Sequence, residues 1–233
     1  TLVRTKRSPK EWLLIKKVDG YARSDEEANL PAASVYSGLT VQELAAGRRP
    51  VEELAERLRG VPEQALNASS VEIMLARTAE GPFSRRGWLF EIKYDGYRMV
   101  AGVDSGQVLL RYRKGGDATD LYPELTPALA KLPCRSMVLD GEVVVLGADG
   151  RPSFSRLARR ARLSREHDIL LASVESPACY FVFDLLELDG RDLRQLPLQE
   201  RKALLAAVAP ALGPVRVAEH IQERGAEMFE QAR

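Results

Sequence analysis

Residues 87–98 read Gly-Trp-Leu-Phe-Glu-Ile-Lys-Tyr-Asp-Gly-Tyr-Arg, and within them the chain takes up a period of two. Trp88, Phe90, Ile92 and Tyr94 fall on one face of a strand, and Leu89, Glu91, Lys93 and Asp95 on the other. Asp95-Gly96 ends that strand. A second strand follows over Tyr97–Val103, then the turn Asp104-Ser105-Gly106, then Val108–Arg113, the pattern of an antiparallel hairpin. A lysine sharing a strand face with two carboxylates, followed by a glycine and an arginine, has two readings. One is a solvated strand with alternating charges. The other is a nucleophile, which attacks only as the free amine and needs desolvation or nearby positive charge to become one. Glu91 and Asp95 alone act in the opposite sense, so that reading calls for bound metal or substrate. Arg98 stands where its fork can grip a phosphate through two parallel hydrogen bonds.

Toward the C-terminus, strands and helices alternate. A helix is predicted over Tyr122–Leu132, burying Leu125, Leu129 and Leu132, and a strand over Met137–Leu146. Ser153 is placed to cap an arginine-rich helix whose buried side is Phe154, Leu157, Ala158 and Ala161. Tyr180–Leu188 reads as a strand, Leu198–Val208 as a helix, and the residues before Arg233 as another. Because several strands pair as hairpins, the pattern predicts an α+β fold rather than a parallel doubly wound sheet. Toward the N-terminus, Pro50–Gly60 carries Pro at its start, the stripe Val51, Leu54, Ala55 and Leu58, and a terminating glycine, the marks of a short helix. Thr40 and Glu43 have capping-box spacing ahead of a helix that Gly47 would end. Residues 21–37 read as linker, and Glu11–Lys17 as one strand with no partner nearby in sequence.

The composition narrows the functional classes. Of 233 residues, 45% are apolar, 29% charged and 6% aromatic, the profile of a globular chain rather than a disordered one. Cys134 and Cys179 make no disulfide framework and no metal-ligand spacing, and a reducing intracellular compartment is expected. The longest uncharged stretch of the second half, 203–215, is interrupted by Pro210 and Gly213, so no membrane span is predicted; the first residues form no secretory signal. The net charge of +1 argues against attachment to nucleic acid by bulk charge. Its distribution is uneven: Arg151, Arg156, Arg159, Arg160, Arg162 and Arg165 follow one another without an intervening acid. This is either a solvated helix face or a patch for phosphates. His167 and His220 stand outside any motif and read as structural.

Lys93-x-Asp95-Gly96-x-Arg98 resembles the nucleophile motif of the covalent nucleotidyltransferases, the DNA ligases, RNA ligases and capping enzymes. Further matches follow in that family's order. Leu110-x-Tyr112-Arg113-Lys114-Gly115, with Tyr122-Pro123-Glu124-Leu125 after it, is similar to the ligase segment Ser-Arg-Asn-Gly and Phe-Pro-Glu-Leu. Val138-Leu139-Asp140-Gly141-Glu142 resembles the Asp-Gly-Glu motif, and Phe181-Val182-Phe183-Asp184-Leu185-Leu186 the motif that sandwiches the base. The context of Lys93 narrows the resemblance to ATP-dependent DNA ligases of the bacterial end-joining kind, ligase D. The start of the chain, with Glu11–Lys16, resembles the last strand of the phosphoesterase domain that precedes the ligase in such fusions.

The resemblance implies an ATP-grasp-like α+β adenylation domain over 71–233, truncated at its C-terminal end. A phosphoesterase remnant over 1–21 and a linker with two short helices over 22–70 would precede it. Lys93 would carry AMP; Glu91 would accept a hydrogen bond from the adenine amino group; Phe183 would stack on the purine. Arg98 and Arg113 would hold ribose or phosphate oxygens, and Glu142 the ribose or a Mg²⁺ (or Mn²⁺) ion beside ATP. Implied partners are nicked or broken double-stranded DNA, the phosphoesterase domain of a parent chain and an end-binding repair protein, in a bacterial cytoplasm at the nucleoid. Tyr112 and Lys114 depart from the usual Ser and Asn. The family's Glu-Gly-Val/Ile-x-x-Lys and Lys-x-Lys segments are not in this sequence, which predicts weak self-adenylation, or a module that binds nucleotide or DNA without transfer.

Overall fold

The computed structural model describes residues 2–4, 12–14, 39–46, 50–209 and 213–232, and the chain divides into two units, Thr1–Ala32 and Ala33–Arg233. In the first unit β1 (Leu2–Arg4) pairs antiparallel with β2 (Trp12–Leu14), Val3 opposite Leu13. The strand read over Glu11–Lys17 therefore has a nearby partner after all, upstream of it; the expected linker over 21–37 lies outside the described residues.

The second unit opens with α1 (Val41–Ala45) and α2 (Pro50–Arg57). The capping box of α1 forms as its spacing predicts: the Thr40 amide donates to Glu43 Oε2 at 2.8 Å, and the Glu43 amide to Thr40 Oγ1 at 3.2 Å. Leu54 and Leu58 enter the main core, while Ala55 is exposed. The chain continues through β3 (Leu89–Glu91), β4 (Tyr97–Asp104), β5 (Gln107–Tyr112), α3 (Thr126–Ala130), β6 (Ser136–Val145), α4 (Phe154–Arg160), α5 (Glu166–Glu175), β7 (Ala178–Leu188), β8 (Arg191–Asp192), α6 (Leu198–Val208), β9 (Val215–Val217), β10 (His220–Gln222) and α7 (Gly225–Ala232). Among the described residues no helix is long and apolar enough to cross a membrane.

The fold is α+β, as the hairpin pattern predicts. A six-stranded sheet has the order β5-β4-β6-β7-β8, and β9 runs parallel to β7 beside Tyr180–Val182. Period-two alternation gives this sheet two different faces. Met99, Ala101, Leu110, Met137, Leu139, Val143, Tyr180, Val182 and Leu185 face the main core, where Leu204, Leu205 and Val208 of α6 meet Leu125 and Leu129. The other face is covered at one end by residues 66–73, whose Leu66, Ala68, Val71 and Ile73 pack on Val100, Val138 and Leu186. Arg111 holds that cover down, donating to the Ala68 carbonyl at 2.8 Å and the Val71 carbonyl at 2.9 Å.

Local sequence signals miss in four places. The strand read over 88–95 is three residues long and pairs with β10, Phe90 opposite Ile221, so residues 92–96 cross from one sheet to the other. The helix read over Tyr122–Leu132 is a 3₁₀ turn at Thr119–Leu121 and then α3, although Leu125, Leu129 and Leu132 are buried as expected. Pro123 pushes Tyr122 out of the helical region, to φ −128° and ψ 65°. Ser153 sits at the N-cap of α4, but its hydroxyl meets Ser155 rather than a backbone amide. On α4, Phe154 is exposed and Arg160 is buried. Arg160 donates to Glu124 Oε1 at 2.6 Å and to the carbonyls of Leu121, Ala172 and Ser176, so it is a tie inside the fold and cannot serve a surface patch. α5 has no apolar stripe to announce it: Leu170, Leu171 and Val174 are all exposed.

Candidate functional site

Three expected site residues come from neighbouring strands of one sheet face. Register sets Arg98 on β4 opposite Glu142 on β6, with Asp140 two residues along. On β7, Asp140 pairs with Asp184 and Gly141 with Val182, leaving Phe183 without a partner on β6. Phe183 is therefore the extra residue of a β-bulge, a device that re-aims a side chain. The ring it re-aims lies 5.4 Å from the Arg98 guanidinium carbon.

Arg98 donates from Nε to Asp140 Oδ1 at 3.0 Å and from Nη2 to Asp140 Oδ2 at 2.7 Å. The two parallel bonds expected for a phosphate are thus made to a carboxylate of the same sheet. Burial pushes the Asp140 carboxyl upward and the Arg98 fork opposes it, so the pair is how an almost wholly buried acid is tolerated here. Arg113 is brought beside Arg98 through its backbone, its amide donating to the Arg98 carbonyl at 3.0 Å, while its side chain is exposed.

Lys93 lies in the crossing segment between β3 and β4, exposed, rather than on a strand face. Two contacts fix that segment. Tyr94 stacks on Phe181 with ring centroids 4.0 Å apart and planes at 17°. Gly96 sits where a Cβ would lie 2.2 Å from the Val143 carbonyl oxygen, so it is needed for close approach to β6. The approach brings the Lys93 ammonium within electrostatic reach of Glu142. Burial pushes the Glu142 carboxyl up to about 6, against the opposing charges of Lys93 and Arg98.

Glu91 is tied in from the other side. Its Oε1 accepts an ion-paired hydrogen bond from Lys202 of α6, and the same ammonium donates to the Phe183 carbonyl at 2.8 Å. The fold thus links Glu91 to Phe183, Arg98 to Phe183, and Lys93 to Glu142; Arg113 joins them through backbone alone. Sequence reasoning missed Lys202 as a member. Its neighbour Arg201 carried a signal, a charge on the helical stripe 201, 204, 205, 208, and it makes a two-pronged bond to Asp184 at 2.8 Å. Lys202 borders that stripe. His220 lies across the β3–β10 pair from Glu91, while His167 is exposed on α5.

Among the described residues no three or more His, Cys, Asp or Glu side chains cluster as a ready metal site. With Asp140 engaged by Arg98, Glu142 is the carboxylate left for a cation. One carboxylate fits magnesium, which completes its coordination with water and substrate phosphates, better than a metal needing a full protein cage.

Comparisons with known proteins identify the family. The family model "ATP dependent DNA ligase domain" matches residues 54–232. The multifunctional non-homologous end joining protein LigD of Pseudomonas aeruginosa is 34% identical over 213 residues, 89% of this chain and 24% of the relative. LigD of Mycobacterium bovis is 42% identical over 142 residues, 61% of this chain and 17% of the relative. A crystal structure of the ligase domain of M. tuberculosis LigD is 38% identical, covering 62% of this chain and 44% of that one, with a TM-score of 0.49. The chain spans about a quarter or less of the length of these curated relatives. With the ligase model matching 54–232, the chain belongs to the ATP-dependent DNA ligase family of enzymes.

Proposed function

We propose that this chain forms and holds the adenylate of a DNA ligase, with Lys93 as its nucleophile. The observation that carries the reading is convergence: Lys93, Arg98, Glu142 and Phe183, spread over three motifs, meet around one end of a single sheet face. The unprotonated Lys93 Nζ attacks the α-phosphate of ATP, forming an N–P bond. The bond from the α-phosphate to the bridging oxygen breaks and pyrophosphate leaves with the electron pair, while the amine proton passes to solvent. AMP then moves to a DNA 5′-phosphate, and a 3′-hydroxyl displaces it to seal the strand.

Glu91 would accept from the adenine amino group and Phe183 would stack on the ring, a contact of ~1–3 kcal/mol for a base on an aromatic side chain. Arg98, anchored by Asp140, keeps positive charge beside the ring, and Arg113 offers an unrestrained guanidinium to ribose or phosphate oxygens. Glu142 would hold magnesium or manganese, which supplies neutralisation of phosphate charge; phosphoryl transfer depends mainly on such positioning and charge. Relatives named as multifunctional non-homologous end joining proteins support placing the sealing step in the joining of nicked or broken DNA. The motif resemblance would set it in a larger bacterial protein carrying a phosphoesterase domain and working at the nucleoid with an end-binding protein.

Incubation with α-labelled ATP and Mg²⁺ tests the reading. Acid-labile label is expected on the chain and absent from Lys93→Ala. Label surviving at the same level in Lys93→Ala would falsify it.

A further inference from the structure

Lys202 is a cation with 3% of its side chain exposed, on a helix otherwise packed by Leu204, Leu205 and Val208. Burying an ammonium is costly unless its protons are used, and here two named acceptors use them. One is the carbonyl of Phe183, the bulged residue that stands out of register with β6. The other is Glu91 Oε1, at the end of a different, two-stranded sheet, 111 residues away in sequence. Among the described residues, the ammonium is the group that bridges these two acceptors. Resting on the nucleotide reading above, we infer that Lys202 is the positioning residue for purine selection. It holds the Glu91 carboxylate at a set place relative to the Phe183 ring, with one oxygen on the ammonium and the second directed to the base.

The chemistry of the two purines makes this specific. Adenine presents an amino donor at the position where guanine presents a carbonyl acceptor. A carboxylate held in place accepts from the first and repels the second, because it has no proton to offer. A carboxylate released from Lys202 swings into water and does neither. Losing the ammonium therefore weakens ATP more than GTP, whereas a helix merely loosened by the same change weakens both alike.

The experiment is calorimetric titration of ATP and of GTP into the full chain and into Lys202→Met, which keeps the apolar stem. Thermal unfolding is followed in parallel. ATP affinity is expected to fall about tenfold, the scale of a lost hydrogen bond to a charged group, with GTP affinity little changed. In a Glu91→Gln background Lys202→Met should leave the ATP-to-GTP ratio where Glu91→Gln puts it, since two changes acting through one group are not additive. Lys202→Arg should keep most of the preference. If Lys202→Met does not fold, Lys202→Gln, which retains a donor for the Phe183 carbonyl, carries the same expectation. A folded variant with an undiminished ratio overturns the role of Lys202 alone. A wild-type chain with no preference for ATP over GTP overturns the purine site, and this inference with it.

Discussion

At the scale of single residues, the Lys93 amine is positioned by its neighbours more than by its own contacts. Tyr94 on Phe181 and Gly96 on β6 hold the crossing segment just after Lys93. Asp95-Gly96 reads as a turn signal in the sequence, and the structure gives the glycine another purpose: its conformation is ordinary, and what excludes a side chain is the Val143 carbonyl at 2.2 Å from any Cβ. A backbone atom cannot rotate away as a side chain can. Gly96→Ala is expected to destabilise the chain by ~2 kcal/mol or more. Gly81→Ala, with nothing within 4 Å of the added carbon, should stay within about 0.5 kcal/mol. Denaturant midpoints of the two variants check this; equal midpoints would remove the packing role of Gly96.

At the scale of elements, the arginine-rich helix divides its charges between two duties. Arg160 points inward to Glu124, which also accepts from the Ala178 amide at 2.6 Å at the start of β7. One ion pair therefore joins α4, the turn ahead of α3 and the strand that carries Phe183. Arg160→Met leaves the Glu124 carboxylate without its counter-ion, with an expected cost of ~3–5 kcal/mol. Arg159→Gln, at an exposed position one residue earlier, should cost no more than about 0.5 kcal/mol. Urea unfolding distinguishes them, and comparable losses at both sites would refute the division. Periodicity does not reveal this, because the i, i+3, i+4 rule sorts residues by apolarity and reads any arginine as outward.

At the scale of the molecule, the sheet separates packing from chemistry. Its core face is closed by α3, α4 and α6, while its second face is covered by residues 66–73 at one end and carries Arg98, Glu142 and Phe183 at the other. With Arg160 withdrawn, Arg159 and Arg162 remain exposed and Arg156 half-buried on α4 and just after it, a basic strip that would meet DNA phosphates on the proposed ligase reading. Affinity for a nicked duplex should then fall steeply with salt. Replacing Arg156, Arg159 and Arg162 by Gln should make the log–log slope shallower by about one for each phosphate left without its arginine. An unchanged slope, measured by titration across salt concentrations, would place the DNA elsewhere.

Which chemical groups this chain carries, and in what order, is legible without coordinates: the lysine, the arginine, the Asp-Gly-Glu strand and the Phe-Asp strand are local patterns, and strand periodicity and motif spacing are local properties. The α+β class and the helix Leu198–Val208 are legible for the same reason. Folding in three dimensions was needed to show that β3 leaves the main sheet to pair with β10, that Arg98 gives its fork to Asp140, that Arg160 is buried, and that Lys202 reaches Glu91. These outcomes turn on which distant segments share a register and which charges lose their water, and no window along the chain contains both partners.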